Sequence, residues 1–237
     1  MRCDRHTWDD EGFAECWQCA ELRYKKEEDT ESDWYLRLHS VNDVKIFVIT
    51  LGERIYSFRD RMLRLINFNE FEAFNPTQIE DFKPLFINSD IFDYNHLYNT
   101  DSVIACAKSH FYLWKKCIEL NETILILEDD AMFYNVEAKK IFTKTNFKEL
   151  DFDVFYFDGR LVDEPYIIQD AYEFHSGVAY MITPKAAQMM INKIETKGFD
   201  RALDWELLEM RKHGLKAKSF NNIVIVPKAG EPSNIKL

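Results

Sequence analysis

The chain has 237 residues, of which 46% are hydrophobic and 15% aromatic, so it is long and apolar enough for one catalytic domain and a small additional module. Its 30 basic and 41 acidic residues give a formal net charge of −11, which argues against non-specific nucleic-acid binding over the whole surface and leaves only a local basic patch open. No apolar run has the length of a membrane span or the position of a signal peptide, so we expect a cytoplasmic protein with reduced or metal-bound cysteines.

The first 21 residues carry four potential metal ligands in the pattern Cys-x2-His-x9-Cys-x2-Cys, formed by Cys3, His6, Cys16 and Cys19. Two closely spaced ligand pairs separated by a short loop are typical of a tetrahedral zinc site, and a segment this short needs such a site in order to fold. The alternative is a disordered tail with incidental cysteines. The spacing favours a small structural Zn²⁺ module over residues 1–21.

A charged stretch follows over residues 22–42 and contains the run Lys-Lys-Glu-Glu-Asp at 25–29. It is poor in apolar residues, which predicts a helical or flexible linker. The remaining residues, 43–237, are then the catalytic domain.

Short apolar runs alternate with segments of helical periodicity through residues 43–237. Strands are predicted at 44–50, 70–74, 123–128, 153–158, 178–182 and 223–226, and helices at 53–66, 102–120, 135–146, 184–196 and 203–213. Thr183 and Pro184 are a typical helix start, and Gly198 follows a helix end. Cys106 and Cys117, on the second helix, are expected in the core. The alternation predicts an α/β domain with a mostly parallel sheet and helices on both faces.

The strand predicted at 123–128 leads into three consecutive carboxylates, Glu128, Asp129 and Asp130. Four apolar residues precede them, as in a strand buried on both faces. Ligands of open α/β sheets bind beyond the carboxyl ends of parallel strands, and carboxylates crowded there favour a hard cation such as Mg²⁺ or Mn²⁺. The pattern predicts either a site for a metal-bound nucleoside diphosphate or a solvated acidic turn.

This strand and the helix before it together resemble glycosyltransferase family 25, which includes bacterial lipopolysaccharide and lipooligosaccharide galactosyltransferases and the related domains of procollagen galactosyltransferases. The matching residues are Ala105, Cys106, Ala107, Ser109, His110 and Trp114 on the helix, and Leu127, Glu128, Asp129, Asp130 and Ala131 at the strand end. The likeness extends over roughly residues 44–226 in the same order. At position 50 a threonine stands where the family usually has asparagine.

The resemblance implies a GT-A-like, Rossmann-like fold that binds a nucleotide sugar. It also implies transfer of a hexose, galactose or glucose, from a UDP-sugar to an acceptor hydroxyl with inversion. Asp130 and Glu128 occupy the outer positions of a three-residue acidic motif that is similar to the Asp-x-Asp motif of GT-A enzymes. Asp130 is therefore expected to bind Mn²⁺ or Mg²⁺, and Glu128 to contact this metal, the ribose or a water. Asp129 is expected to point into the fold.

Inverting transfer needs a general base for the acceptor hydroxyl, and Asp158 and Asp204 are the two candidates. Asp158 could equally be a second metal ligand, and Asp204 a helix cap. His110 shares a helical stripe with apolar residues, which suits a core histidine as well as a donor contact. Further residues expected at the donor are Thr50, Arg54, Ser109 and His175, and Arg59 and Arg61 could pair with phosphate.

Two other classes of function stay open at this stage. One is a metal-dependent nucleotidyltransferase or phosphohydrolase, and the other is a non-catalytic binding protein whose working part is the zinc module. The sequence names neither the sugar nor the acceptor. A saccharide, a polypeptide and a modified nucleic-acid base are all open as acceptors, although the absence of a visible signal peptide disfavours a collagen-type role.

Overall fold

The computed structural model describes residues 44–52, 54–62, 68–87, 100–158, 165–171 and 176–228. The zinc module predicted over residues 1–21 and the linker predicted over residues 22–42 lie outside this part of the chain, and both stay predictions.

Nine strands lie in the described residues: β1 (Lys45–Thr50), β2 (Phe68–Glu72), β3 (Ile124–Glu128), β4 (Ala131–Phe133), β5 (Val154–Tyr156), β6 (Ile168–Asp170), β7 (Ala179–Ile182), β8 (Ala217–Phe220) and β9 (Ile225–Pro227). Seven of them form the central sheet in the order β2-β1-β3-β7-β5-β8-β6, and β4 pairs with β9 in a separate antiparallel ribbon. Within the sheet β1, β2, β3, β5 and β8 run in one direction, whereas β7 and β6 run in the other.

Five α-helices accompany these strands: α1 (Ile55–Arg61), α2 (Thr100–Leu120), α3 (Val136–Lys144), α4 (Pro184–Lys197) and α5 (Leu203–Glu209). Polar side chains fix two of the helix starts, because the Asn135 Oδ1 accepts the Ala138 N–H at 2.7 Å and the Thr183 hydroxyl accepts the Ala186 N–H at 3.3 Å. Pro184 and Gly198 flank α4 as predicted. The helix predicted over 203–213 is shorter, since its last turn, Met210–His213, is a 3₁₀ turn.

Helices cover both faces of the sheet, as the sequence predicts. Successive strand residues alternate between two buried clusters. Ile126 and Tyr180 belong to the cluster that includes residues of α2 and α4, whereas Leu127 and Met181 belong to the cluster that includes residues of α1 and α3. All four side chains are fully buried, which explains why the strands consist of unbroken apolar runs.

The prediction of a mostly parallel sheet is confirmed, because five of the seven strands of the central sheet run in one direction. β7 lies antiparallel between β3 and β5, so these two strands are not neighbours. The strand predicted at 223–226 pairs with β4 instead of joining the central sheet. β4, β6 and β8 have no predicted counterpart. None of the described helices is long and apolar enough to cross a membrane.

Candidate functional site

The carboxyl ends of β1, β2 and β3 open on a cleft that is bounded on one side by α2. β1 pairs with β2 on one side and with β3 on the other, and α/β sheets leave a ligand crevice at such a switch in strand order. The cleft, counted together with the part that is open to solvent, has a volume of about 600 Å³. Its lining includes Arg54, Phe74, Cys106, Glu128 and Asp130.

Glu128, the last residue of β3, reaches into the cleft with about a third of its side chain exposed. Its Oε1 lies 3.4 Å from His110 Nε2 and 3.8 Å from Cys106 Sγ, both on α2. A carboxylate can only accept, so the imidazole Nε2–H and the thiol S–H are the donors. The two α2 side chains hold this carboxylate at the floor of the cleft.

The orientation of His110 is fixed through Nδ1, the ring nitrogen that does not contact Glu128, by a buried chain of hydrogen bonds. The Trp114 Nε1–H donates to the Tyr180 hydroxyl oxygen at 3.0 Å, and this hydroxyl lies 2.8 Å from His110 Nδ1. With Nε2 protonated, Nδ1 is the acceptor and the Tyr180 O–H is the donor. All three side chains are fully buried, so β7 and α2 together fix the imidazole that contacts Glu128.

Asp129 is 3% exposed, as expected for a side chain that points into the fold, although it still contributes to the lining of the cleft. Its Oδ1 lies 3.7 Å from Arg54 Nη1, and the Thr50 hydroxyl also bonds its carboxylate. Burial raises the pKa of Asp129, and both of these partners oppose the increase. Thr50 and Arg54, two residues expected at the donor, therefore contact this internal carboxylate.

Asp130 also has a buried carboxylate oxygen that is not compensated. Its Oδ1, like the Oδ2 of Asp129, is buried and has no hydrogen-bond partner among the described residues. Burial, together with the charges of Glu128 and Asp129, raises the pKa of Asp130 to about 7 against the opposing effect of Arg54. A hard divalent cation between Glu128 and Asp130 would supply the missing positive charge, so this pair of residues fits Mg²⁺ or Mn²⁺.

Both general-base candidates lie near these acids. Asp158 follows β5, and its Oδ2 accepts the Ser176 N–H. Burial raises the pKa of Asp204 to about 6, and the charges of Glu128 and Asp158 act in the same direction, while the Trp205 N–H bonds the carboxylate at 2.9 Å and opposes the increase. Asp204 does not cap its helix, because α5 begins after Ala202 and has no side-chain cap.

The remaining predicted donor residues have different surroundings. Ser109 lines the cleft, but its hydroxyl accepts the Phe74 N–H at 3.0 Å and donates to the Ala105 carbonyl, so it fastens the segment after β2 to α2. His175 lies outside the described residues, as do the side chains of Arg59 and Arg61. Cys117 is buried as expected, but the prediction that Cys106 is a core residue is wrong, because it is partly exposed and lines the cleft.

Sequence reasoning did not assign a site role to Tyr180, Gly177 or Phe74. Tyr180 and Gly177 lie in the segment preceding α4, and the Gly-Val-Ala-Tyr sequence over residues 177–180 is the available signal. A Cβ placed on Gly177 would lie 3.7 Å from Glu128 Oε1 and 3.8 Å from His110 Cε1. β7 therefore enters the site directly beside β3.

Comparison with known proteins adds one match. Residues 43–204 match the sequence model of the family described as glycosyltransferase family 25 (LPS biosynthesis protein). No curated protein matches the chain significantly. The matched range covers more than half of the chain and contains α2, the acidic end of β3, Asp158 and Asp204.

Proposed function

The chain belongs to glycosyltransferase family 25, and from this premise we propose that it transfers a hexose, galactose or glucose, from a UDP-sugar to an acceptor hydroxyl with inversion at the anomeric carbon. Family membership favours glycosyl transfer over nucleotidyl transfer, phosphate-ester hydrolysis and binding by the zinc module alone. The observation that carries the proposal is the buried Asp130 Oδ1, which has no partner among the described residues and lies at the end of β3 in the cleft.

Glu128 and Asp130 would hold a Mn²⁺ or Mg²⁺ ion together with the diphosphate of the donor. Such an ion, when bound, stabilises the negative charge that develops on the departing diphosphate. Carboxylate oxygens are the ligands that these hard cations prefer. The α2 contacts of Glu128 keep one of the two carboxylates in place before the donor arrives.

Asp204 is the residue that we assign as general base. Its raised pKa of about 6 lies closer to neutrality than that of an ordinary carboxyl group, which makes it a stronger base that is still ionised at pH 7. The acceptor O–H proton passes to the Asp204 carboxylate while the acceptor oxygen bonds to the anomeric carbon and the bond to the diphosphate breaks. Asp158 has its carboxylate engaged by the Ser176 N–H, which suits a positioning role.

A donor screen tests the proposal directly. The full-length protein is incubated with UDP-, GDP- and CMP-sugars, with Mn²⁺ or with EDTA, and thermal unfolding and nucleotide release are measured. We expect stabilisation by UDP and UDP-hexoses only in the presence of the metal, by roughly 2.7 kcal/mol at a donor concentration about a hundred times its Kd. Equal stabilisation in EDTA would contradict the metal-bridged donor, and a response to GDP- or CMP-sugars alone would contradict the UDP assignment.

A further inference from the structure

Cys106, His110 and Glu128 form a compact group of three different metal-ligand types within the described residues. Their ligand atoms all lie within 4.8 Å of one another. Cys106 and His110 are four positions apart on α2 and therefore share one face of the helix, and β3 ends opposite that face with Glu128. No part of this arrangement depends on Asp130.

The ligand chemistry of this group differs from that of the acidic pair. Thiolate, imidazole and carboxylate are the ligands that Zn²⁺ takes, whereas Mg²⁺ and Mn²⁺ favour oxygen alone. Three protein ligands with one position left for a water or substrate are the usual number in an open zinc site. Because Cys106 and Glu128 both line the cleft, the fourth position would open into it.

The surroundings of the group also suit a metal site. His110 is fully buried, and its second ring nitrogen, Nδ1, lies 2.8 Å from the Tyr180 hydroxyl. Metal-ligating histidines almost always have their other nitrogen fixed in this way. The Tyr180 oxygen has two acceptor positions, so it can accept from the Trp114 Nε1–H and from a His110 Nδ1–H at the same time.

We propose that Cys106, His110 and Glu128 form a site for a borderline-soft divalent cation, best matched by Zn²⁺, and that its occupation inhibits the enzyme. On binding, the Cys106 S–H proton leaves to solvent and a bond forms between the sulfur and the metal. The imidazole stays neutral, since its proton passes from Nε2 to Nδ1 as Nε2 becomes a ligand. The inhibition rests on the proposed function, because zinc would withdraw Glu128 from the donor site.

Binding can be tested without any glycosyl transfer. Reduced full-length protein is freed of metal and titrated with Co²⁺, whose thiolate charge-transfer absorption reports a cysteine ligand, and bound Zn²⁺ is counted after dialysis. The parent, Cys106→Ser and Cys117→Ser proteins are compared, so that any N-terminal zinc contributes equally to all three. Cys117 is the matched control, a buried thiol on the same helix whose S–H donates to backbone carbonyls.

We expect Cys106→Ser to lose about one zinc per chain and part of the charge-transfer absorption, and Cys117→Ser to match the parent. Tyr180→Phe, which removes the group that orients His110, should weaken zinc binding by about 10–100-fold. Asp130→Asn should keep the zinc. If Cys106→Ser binds as much zinc as the parent with the same absorption, the site does not exist.

A measurement on the unaltered chain covers the case in which a variant does not fold. Zn²⁺ should slow alkylation of the partly exposed Cys106 at least tenfold, as followed by peptide mass spectrometry, and Mg²⁺ should leave the rate unchanged. An unchanged rate in Zn²⁺ would overturn the proposal. Zinc should inhibit transfer by the parent more strongly than transfer by Cys106→Ser. Zinc binding without any transferase activity would count against the proposed function alone.

Discussion

Three consecutive acids, Glu128, Asp129 and Asp130, occupy three different environments. Glu128 is held by the side chains of α2, Asp129 turns inward to Thr50 and Arg54, and Asp130 keeps one buried oxygen without a partner among the described residues. Only Glu128 belongs to β3, and Asp129 and Asp130 lie in the turn that follows it. The chain changes direction at this turn, so each of the three carboxylates meets different neighbours although all three line the cleft.

Replacing Asp130 by Asn should abolish transfer and leave the fold intact, because it removes the charge and keeps the shape. Asp129→Asn is the matched control, since it makes the same change one residue away in an internal environment, and it should reduce transfer less. Nucleotide release and thermal unfolding of both variants check this. A larger loss of activity in Asp129→Asn would reverse the assignment of the outer acids.

The same residue gives the metal-free protein a pH-dependent stability. The pKa of Asp130 in the folded state, about 7, lies above the ordinary carboxyl value of 3.8, so folding favours its neutral form. Its stabilising contribution is complete below pH 4 and is lost as the pH rises through 7. In EDTA, Asp130→Asn should therefore exceed the parent in free energy of unfolding at pH 8 by on the order of 1–3 kcal/mol, and the difference should shrink at pH 5.

Urea unfolding of both proteins at pH 5 and pH 8 measures this difference. Comparing the two chains removes the contribution of Asp204, whose pKa is also raised. A difference that is independent of pH would mean that the Asp130 carboxylate is solvated or paired in the metal-free protein.

At the scale of elements, α3 and α4 carry local signals at their ends. Thr183 caps α4, and because β7 is antiparallel to β3, this cap lies at the sheet edge opposite the cleft. Thr183→Ala should therefore lower the free energy of unfolding by about 1 kcal/mol and leave donor affinity unchanged. Gln188→Ala, on the exposed side of the same helix, should change stability by less than about 0.5 kcal/mol. Weaker donor binding by Thr183→Ala would show that α4 is coupled to the site.

Local signals also explain which elements the sequence predicts. The sequence predicts β3 and α2 because a run of apolar residues and an apolar stripe with helical spacing each indicate which residues are buried. β6 is an exposed three-residue edge strand and β8 reads Ala-Lys-Ser-Phe, so neither has a pattern of its own. The insertion of β7 between β3 and β5 depends on pairing over long sequence separation, which no local pattern reports.

The same difference between local and long-range signals applies to the residues of the candidate site. The acids at the end of β3 are predictable because three neighbours in sequence supply them. The contact from Trp114 through Tyr180 to His110 and Glu128 joins α2, β7 and β3 and exists only in the folded chain. The position of Cys106 also depends on the folded chain, because it shares a face of α2 with the buried His110 and yet is partly exposed where α2 meets the end of β3.

For the molecule as a whole, the matched family range and the folded unit do not coincide. The match ends at residue 204, yet β8 lies between β5 and β6, and β9 pairs with β4. The backbone N–H groups of Val224 and Ile225 both donate to the Phe157 carbonyl. At the other end, the match begins at residue 43, directly before β1. The central sheet thus needs the segment after the match.

Two truncations should therefore behave differently. A chain that begins at Asp43 should stay folded and keep UDP-sugar binding, because β1 and the cleft lie downstream. It should lose the zinc expected at the amino terminus, about one ion per chain, as should Cys16→Ser combined with Cys19→Ser.

A chain that ends at Asp204 should fail to fold, since removing β8 exposes the edge of β5 and leaves β6 without its partner. Circular dichroism, zinc analysis and thermal shift with UDP and Mn²⁺ compare them. If the first truncation stays folded but no longer binds the donor, the amino-terminal segment is part of the active site, and the division of the chain at residue 43 is wrong.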